Sequence, residues 1–299
     1  MTLRAAGGMM AAFVACLLLS TGCGDRTLPE APETKVGAAE PGELPHGVVP
    51  AGYHGRVRGT VTVLESPDHG PQLCANVAES YPPQCGGPDI EGWRWDDLRS
   101  ESANGTTWGR YTVTGHLADD VFTLTEPAQP PQDDPPAAGD PASPCPEPAG
   151  GWVPPDPATA TPEARDEAIK TARSAGGHGG VWIRWLIPRH EITEFNSVDP
   201  ALYVLNVSTT GDVGELEREL RAVWGGNLCV VATARTEAEL NRIANQLMSL
   251  PGATSASADI VKGTASVTVW VATEELWRQA ARDFGEDAVE LDGILEPLD

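Results

Sequence analysis

Apolar residues in the second half of the chain recur every three or four positions, a spacing that places them on one face of an α-helix. Four segments carry this pattern, and they begin at Thr161, Asp212, Thr236 and Thr273. Thr161 precedes Pro162, the usual order of an N-cap and a first helical residue. Thr236 and Glu239 have the spacing of a capping box. The pattern therefore predicts four helices in this half.

Short apolar runs rich in valine and isoleucine lie between these helices and predict strands. The runs are VWIRWLI, LYVLNVS, LCVVAT, SASADIV, ASVTVWVA and AVELDGIL, with a hairpin turn at Lys262-Gly263. From Leu228 the predicted order is β-α-β-β-α-β, which is the order of a ferredoxin-like fold. We predict this fold for residues 161–299, with an extra β-α unit in front. Because the fold hosts many unrelated roles, it predicts no activity.

The first half shows the alternation of apolar and polar residues that is typical of strands. Val57, Val61 and Val63 share one face of a first strand, which Gly59 interrupts. Two later runs, TWGRYTVTG and VFTLTE, flank the polar turn HLADD. We predict a small antiparallel β-barrel or sandwich of about five strands, of the OB-like kind, over residues 53–126. The whole protein would then belong to the α+β class.

The N-terminus has the form of a secretory signal over residues 1–22. Arg4 precedes the apolar run AAFVACLLLSTGC, which is shorter than the roughly 20 residues that a resting membrane-spanning helix needs. LSTGC resembles a bacterial lipobox, although Ser20 stands where leucine is usual. That resemblance implies a diacylglycerol on Cys23, which would hold the exported chain on the outer face of the cell membrane. Cleavage as an ordinary secretory signal is the alternative.

Two segments rich in proline and glycine separate the predicted units. Residues 23–52 and 127–160 contain few large apolar side chains, so they bury too little surface to offset the entropy of ordering. We predict a disordered tether for the first segment and an extended, partly polyproline II linker for the second. Cys145 and Trp152 are the expected anchors of the linker.

The formal net charge of −23 excludes one class of partner. A strongly acidic chain is repelled by phosphate backbones, so we expect no binding to nucleic acid. The acidic residues are spread along the tether and the linker, which favours solubility outside the cytoplasm.

Cys16 would leave with the signal, and Cys23 would carry the lipid. The other four cysteines are Cys74, Cys85, Cys145 and Cys229. An even number in an exported chain suggests two disulfides, and three connectivities are possible. The short interval between Cys74 and Cys85 suits a local bridge, which leaves Cys145 to pair with Cys229. Because Cys229 lies in an apolar, strand-like run, a buried free thiol is its alternative.

The sequence contains no motif for a metal, a cofactor or a catalytic nucleophile. The histidines are scattered, no Cys-x-x-Cys occurs, and Asp119-Asp120 is explained better by a turn than by a calcium loop. No serine-nucleophile motif is present, and no basic residue lies near Cys85 to activate its thiol. The glycine-rich AGGHGG follows a predicted helix, whereas a phosphate loop follows a strand. We expect no cofactor and no metal.

Candidate binding residues follow Cys85 in the run DIEGWRW. Trp93 and Trp95 alternate, so they point the same way from an extended chain, where exposed indoles can stack on sugars or bind a partner protein. The alternative is that both are large core residues of a small domain. Asp89 and Glu91 beside Trp93 would suit a hydrolase or a carbohydrate-active protein if the two carboxylates shared a cleft.

The segments LCANVAESYPPQCGGPDIEGW, PCPEPAGGW and VWGGNLCVV resemble a group of exported lipoproteins from GC-rich Gram-positive bacteria. That group has no assigned function, so the resemblance implies a location and no activity. The expectation is a lipid-anchored, non-enzymatic structural or binding protein whose partner is an envelope protein or a glycan. The hairpin SASADIVKGTASVTVWVA is also similar to that of secreted-protease pro-domains, which makes protease inhibition a further alternative.

Overall fold

The computed structural model describes residues 44–96, 98–131 and 141–298. Within those ranges the chain forms four α-helices and three β-sheets, so the predicted α+β class is confirmed. From Leu44 onward it forms one compact unit. The boundary between a first and a second domain inside that unit stays a prediction, and the signal and Cys23 lie outside the described residues.

Strands and helices follow one another in three blocks along the chain. The first block contains β1 (Val57–Ser66), β2 (His69–Cys74), β3 (Asp89–Glu91), β4 (Glu101–Ala103), β5 (Thr106–Ala118) and β6 (Val121–Leu124). The second block contains α1 (Pro162–Ser174), β7 (His178–Trp185), β8 (Tyr203–Thr209), α2 (Val213–Arg221) and β9 (Leu228–Ala232). The third contains α3 (Glu237–Leu247), β10 (Ala253–Asp259), β11 (Thr264–Val269), α4 (Glu274–Phe284), β12 (Val289–Gly293) and β13 (Glu296–Pro297).

The first sheet has seven strands in the order β13-β1-β2-β3-β6-β5-β4, and β5 also pairs with β1. Its strand pairs are antiparallel except β3 with β6, which are parallel. Val57, Val61 and Val63 of β1 are buried with Tyr111 and Phe122, as their alternation predicts. The core of this sheet therefore lies on the face that the valines share.

Gly59 does not interrupt β1, contrary to the prediction. The pairing of β1 with β5 continues through this residue, because Gly59 lies opposite Val113 of β5. A side chain at position 59 would clash with the carbonyl oxygen of Ile294. Glycine is required here because the C-terminal segment passes so close to β1.

Two tight turns of the first block, one of them the predicted turn HLADD, have left-handed backbone. Asp119 and Asp120, which join β5 to β6, have φ angles of 49° and 59°. Asn104 and Gly105, which join β4 to β5, have φ angles of 50° and 81°. Two successive residues in the left-handed region form the tight hairpin turn that matches the twist of the flanking strands. The aspartates are therefore turn residues, as predicted.

The second and third blocks repeat one arrangement. In each, a helix precedes an antiparallel strand pair, and a second helix leads to a third strand that pairs in parallel with the middle one. The resulting sheets have the orders β7-β8-β9 and β10-β11-β12. The chain therefore contains an internal α-β-β-α-β repeat, which was not predicted from the sequence.

The ferredoxin-like arrangement predicted from Leu228 is not confirmed. Its element order is present, but β9 pairs with β8, and β12 pairs directly with β11. All seven residues of β8 are buried, so this strand needs a neighbour on each side, and β7 and β9 supply them. What the prediction treated as a single extra β-α unit is the beginning of a complete first repeat.

The helices begin where their capping residues predict. Thr161, Thr236 and Thr273 each accept a hydrogen bond from a backbone N–H in the first turn of their helix. The Glu239 carboxylate also accepts the backbone N–H of Thr236 at 2.8 Å, which completes the capping box. None of the helices in the described ranges is both long and apolar enough to span a bilayer.

Residues 44–52, which the prediction assigned to the tether, pack onto the third block. Val48 and Val49 are buried, and Val49 forms a parallel bridge with Thr273. The Val49 N–H donates to the carbonyl of Ala272, and the Val49 carbonyl accepts from the N–H of Glu274. The last residues of the predicted tether therefore belong to the fold.

The linker has more anchors than the sequence predicts. Gln129 exchanges two backbone hydrogen bonds of 3.0 Å with Thr112 of β5. Beyond residue 140, Ser143 donates a hydrogen bond of 2.7 Å to the side chain of Asn206, and Ala160 is buried in the core of the second block. Proline-rich composition marked this segment as extended, but it did not reveal the partners that hold it on the surface.

Candidate binding cleft

The run between Cys74 and Cys85 is a loop closed by a disulfide. Both predicted disulfides, Cys74–Cys85 and Cys145–Cys229, are present, so the alternative of a free thiol at Cys229 is wrong. Cys74 ends β2, and the loop returns to begin β3 at Asp89. The Cys85 sulfur is bonded to its partner and is not available as a nucleophile.

This loop presents one aromatic side chain to solvent. Tyr81 is 76% exposed, and its ring meets the ring of Trp108 on β5 edge-on, with centroids 5.8 Å apart. Trp108 alternates along β5 with Tyr111 and Val113, which are buried, so it lies on the opposite face of the strand. The disulfide-closed loop therefore extends the aromatic surface of β5.

Asp89 and Glu91 occupy the exposed side of the short strand β3, on either side of the buried Ile90. The Asp89 carboxylate accepts a hydrogen bond of 2.8 Å from the side-chain amide of Gln72 on β2. The Glu91 carboxylate accepts one of 3.4 Å from the hydroxyl of Thr123 on β6. Each carboxylate thus contacts a neighbouring strand of its own sheet, and neither lines the cleft described below.

Trp93 and Trp95 form a three-ring cluster with Tyr111. The ring centroids lie 5.2 Å apart for Trp93 and Trp95, 5.1 Å for Trp93 and Tyr111, and 6.2 Å for Trp95 and Tyr111. Such edge-to-face packing stabilises beyond the burial of area alone. Both tryptophans are half-buried and pack against the core of the first sheet. The alternative that they are core residues is therefore supported.

Polar atoms hold this cluster in place. The Trp95 indole N–H donates to the carboxylate of Glu65 at 2.5 Å, and the Tyr111 hydroxyl donates to the carbonyl of Arg99 at 2.8 Å. Burial raises the pKa of the Tyr111 hydroxyl above its ordinary value, so it stays protonated and remains a donor. The indole nitrogen of Trp93 is buried, and no partner for it exists among the described residues.

A cleft of about 1290 Å³ opens beside this cluster. Its apolar wall consists of aromatic, leucine and proline side chains, and its rim carries arginines and carboxylates. The aromatic and apolar lining includes Trp93, Leu98, Trp108, Tyr111, Leu124 and Pro127. The cleft thus has the mixture of apolar surface and a few convergent polar groups that ligand sites share.

The arginines of residues 53–126 concentrate at or beside the cleft. These residues contain no lysine and five arginines, of which Arg94, Arg99 and Arg110 line the cleft. The other two, Arg56 and Arg58, form ion pairs with Glu126, which is also a cleft residue. The described lining contains three carboxylates, of Asp96, Glu101 and Glu126, against its three arginines. The charges of the lining are therefore balanced, on a chain that is otherwise acidic.

A second cavity, of about 610 Å³, lies between the first sheet and the third block. His54, His116, Asp119 and Asp120 are among its lining residues. The His116 ring nitrogen pairs with the carbonyl of Gly55 at 3.2 Å. Within the described ranges no group of three or more histidine, cysteine, aspartate or glutamate side chains is placed to hold a metal. The lining of this cavity does not point to a ligand, and the packing of the first sheet against the third block is enough to explain it.

The sequence located the region of the cleft but not its main residues. Trp93 was predicted and lines the cleft, whereas Trp95 packs behind it. Trp108, Tyr81 and Arg99 were missed. Trp108 could have been found from the sequence, because its position in TWGRYTV places it on the face of the strand opposite to Tyr111 and Val113. Arg99 lines the cleft and Tyr81 contacts Trp108 beside it, and both residues lie in loops, for which no periodicity exists.

Comparison with known proteins adds no relative. No protein-family model matches this chain, and no curated protein matches it.

Proposed function

We propose that this protein is a lipid-anchored, non-enzymatic binding module on the outer face of the cell membrane, and that the cleft of the first sheet is its binding site. One observation carries the proposal. Three of the five arginines of residues 53–126 line a cleft that also has an aromatic wall, and the other two form ion pairs with its Glu126. A structural role alone does not require that concentration.

Export is supported by the disulfides and by the N-terminal sequence. Disulfides persist in oxidising compartments and are rare in the reducing cytosol. The apolar run before LSTGC and the cysteine of that motif provide a signal and an acceptor for lipid. On the same grounds we propose membership of the group of exported lipoproteins that the sequence resembles.

The finer fold of the first sheet is part of this proposal. The pairing of β5 with β1 joins the strands β1, β2, β3, β6 and β5 into a circuit, and the parallel pair β3–β6 lies within it. A five-stranded circuit of this kind supports an OB-like barrel. Such barrels bind oligosaccharides and oligonucleotides on an exposed strand face, and the strong negative charge of this chain disfavours the latter.

Photo-crosslinking in the native envelope tests the binding site. A crosslinking amino acid would replace Ser100, an exposed residue of the cleft, and in a matched control Ser255, an exposed residue of β10. We expect a crosslinked envelope component from position 100 only, and its loss when Trp108→Ala is added. Equal capture from both positions would show that the cleft is not the site.

Metabolic labelling with a palmitate analogue tests the anchor. We expect the wild-type protein to carry the label and to sediment with membranes. Cys23→Ser should lose the label and leave the membrane fraction. A labelled or membrane-bound Cys23→Ser protein would contradict lipidation at that residue.

A further inference from the structure

We propose that the ligand of this cleft is an uncharged oligosaccharide, with a sugar ring stacked on Trp108 and its hydroxyls bound by Glu101 and Arg99. This inference rests on the proposed function, because it names the ligand class of the same cleft. Three features of the cleft support it: the balance of its charges, the mixture of its hydrogen-bonding groups and the flat faces of its exposed aromatic rings.

The charges of the lining favour a ligand that carries no charge of its own. The three arginines of the lining are matched by three carboxylates. Arg94 is paired with Asp96 at 2.6 Å. The Glu126 carboxylate is paired with Arg56 and Arg58. A charged ligand would compete with these ion pairs, whereas an uncharged ligand leaves them intact.

The polar groups of the lining suit the hydroxyls of a sugar. Carboxylates only accept hydrogen bonds and guanidinium groups only donate them, whereas a hydroxyl does both. Glu101 and Arg99 are exposed residues of the cleft, one of each kind. The backbone carbonyl of Arg99 accepts a hydrogen bond of 2.8 Å from the Tyr111 hydroxyl. The backbone that carries the Arg99 guanidinium is thus held in place, which lowers the entropy cost of binding.

Trp108 is the surface on which a sugar ring would stack. In the register of the first sheet it lies between Leu64 of β1, which is buried, and Glu101 of β4, which is exposed. Residues opposite one another in neighbouring strands share a face of the sheet, so the indole and the Glu101 carboxylate leave it on the same side. Tyr81 is 76% exposed and meets Trp108 at an interplanar angle of 89°. Edge-on contact leaves most of the flat ring surface uncovered by the other ring.

The extent of the surface favours several sugar units over one. The cleft volume of about 1290 Å³ is greater than the roughly 300–1,000 Å³ of pockets that enclose drug-sized ligands. The contact of Trp108 with Tyr81 also continues the aromatic surface beyond the residues of the cleft. A ligand that fills the cleft and reaches Tyr81 is therefore an oligomer.

A peptide fits this cleft less well. Proline-rich peptides dock in aromatic grooves. Proline has no N–H, however, so such a chain offers acceptors for the arginines but few donors for the three carboxylates of the lining. Other extended peptides commonly add to the free edge of a strand. At Trp108 and at Thr112, β5 already has a partner on each side, β1 on one and β4 or the linker on the other.

Calorimetric titration of the full chain with matched oligomers tests the inference. The uncharged probes are hexamers of glucose, mannose, galactose and N-acetylglucosamine, and the comparison probes are a galacturonic acid hexamer and a proline decamer. We expect at least one uncharged hexamer to bind with an affinity that is equal at low and high salt, since salt screens no attraction for an uncharged ligand. Failure of all the uncharged hexamers to bind would overturn the inference. Binding of the galacturonic acid hexamer or of the proline decamer as strong as that of the best uncharged hexamer would also overturn it.

Substitutions of the aromatic residues then locate the sugar ring. Trp108→Ala and Tyr81→Ala should each weaken binding about tenfold or more, the loss expected when an aromatic stacking surface is removed. Trp108→Phe should retain most of the affinity, because it keeps a flat ring. Phe195→Ala is the matched control, because Phe195 is 93% exposed and lies in the second block. A loss in the control as large as that in Tyr81→Ala would exclude this cleft.

Substitution of Glu101 tests the hydrogen bonds. Glu101→Ala should weaken binding about tenfold, the loss expected when one hydrogen bond to a charged group is removed. Glu194→Ala is the matched control, because Glu194 is an exposed glutamate of the second block. Binding by Glu101→Ala that equals that of the control would overturn the role of this carboxylate.

The two proposals fail separately. If none of the uncharged saccharides binds but position 100 still captures an envelope component, the ligand class is wrong and the binding module stands. If position 100 captures nothing specific, the proposed function fails as well.

Discussion

Tyr81 meets Trp108 edge-on although the two residues belong to different elements, a loop closed by the Cys74–Cys85 disulfide and the long strand β5. The disulfide therefore has a role besides stability, because it closes the loop that carries the exposed Tyr81. A crosslink and a ligand surface are thus parts of one structure.

Removal of this disulfide should weaken both the fold and binding at the cleft. In a Cys74→Ala/Cys85→Ala double variant, we expect a loss of about 3 kcal/mol in the free energy of unfolding, the entropy of a short closed loop. We also expect weaker capture of the envelope component from position 100, because the loop no longer holds Tyr81 against Trp108. Urea unfolding and photo-crosslinking measure the two effects. Full binding by a folded double variant would contradict this role of the crosslink.

Neutralisation of the carboxylates on β3 should leave ligand binding unchanged. Asp89→Asn and Glu91→Gln keep the size of each side chain and its hydrogen bond to the neighbouring strand. Neither residue lines the cleft, so photo-crosslinking from position 100 should capture the envelope component as it does in the wild type. The same variants test the hydrolase alternative. A hydrolytic activity of the wild type that both variants lose would revive it.

Gly59→Ala should detach the C-terminal strand from the first sheet. The added methyl group would clash with the backbone of Ile294, which cannot move without disturbing the pairing of β13 with β1. We expect a loss of about 1–3 kcal/mol in the free energy of unfolding, as for other overpacked positions. Hydrogen exchange should show faster exchange of the Leu298 amide, which donates to Arg56. Gly86→Ala is the control, because a side chain there meets open space.

The capping box of α3 should make a contribution to stability that depends on pH. Hydrogen bonds from the backbone N–H and then the hydroxyl of Thr236 hold the pKa of the Glu239 carboxyl below its ordinary value. A carboxyl with a depressed folded-state pKa stabilises the protein above its unfolded-state pKa, and the contribution is lost as the pH falls through the folded-state pKa. Glu239→Gln should therefore be less stable than the wild type at neutral pH.

The measurement for Glu239→Gln is the free energy of unfolding at a series of pH values. The difference between the two proteins should shrink steadily as the solution is made more acidic than the ordinary pKa of glutamate. A difference that stays constant over that interval would mean that the carboxylate acts through packing and not through its charge.

Much of the secondary structure could be predicted from the sequence, because it depends on local signals. Thr161, Thr236 and Thr273 mark helix starts through hydrogen bonds to their own first turns. The hairpin at Asp119-Asp120 depends on two adjacent residues that tolerate left-handed backbone. Cys74 and Cys85 are close in sequence and form the predicted bridge.

Strand partners and the cleft could not be predicted, because they depend on residues that are distant in sequence. Nothing near Leu228 indicates that β9 pairs with β8 rather than with a strand of the third block. Trp108 and Arg99 converge only when the loop after β3 folds back over β5. The internal repeat was missed for a similar reason. Each half packs its core with different side chains, so the two halves share the order of their elements but not their amino-acid sequence.

The position of β13 bears on the export that we propose for this protein. Val57, in the first strand of the described residues, lies opposite Pro297 in the last. A chain that crosses a membrane from its N-terminus delivers β1 first and β13 last, so the first sheet would stay incomplete until translocation ended. Contacts between such distant segments slow folding. An envelope chaperone that shields the open edge of β1 would be needed most during that interval.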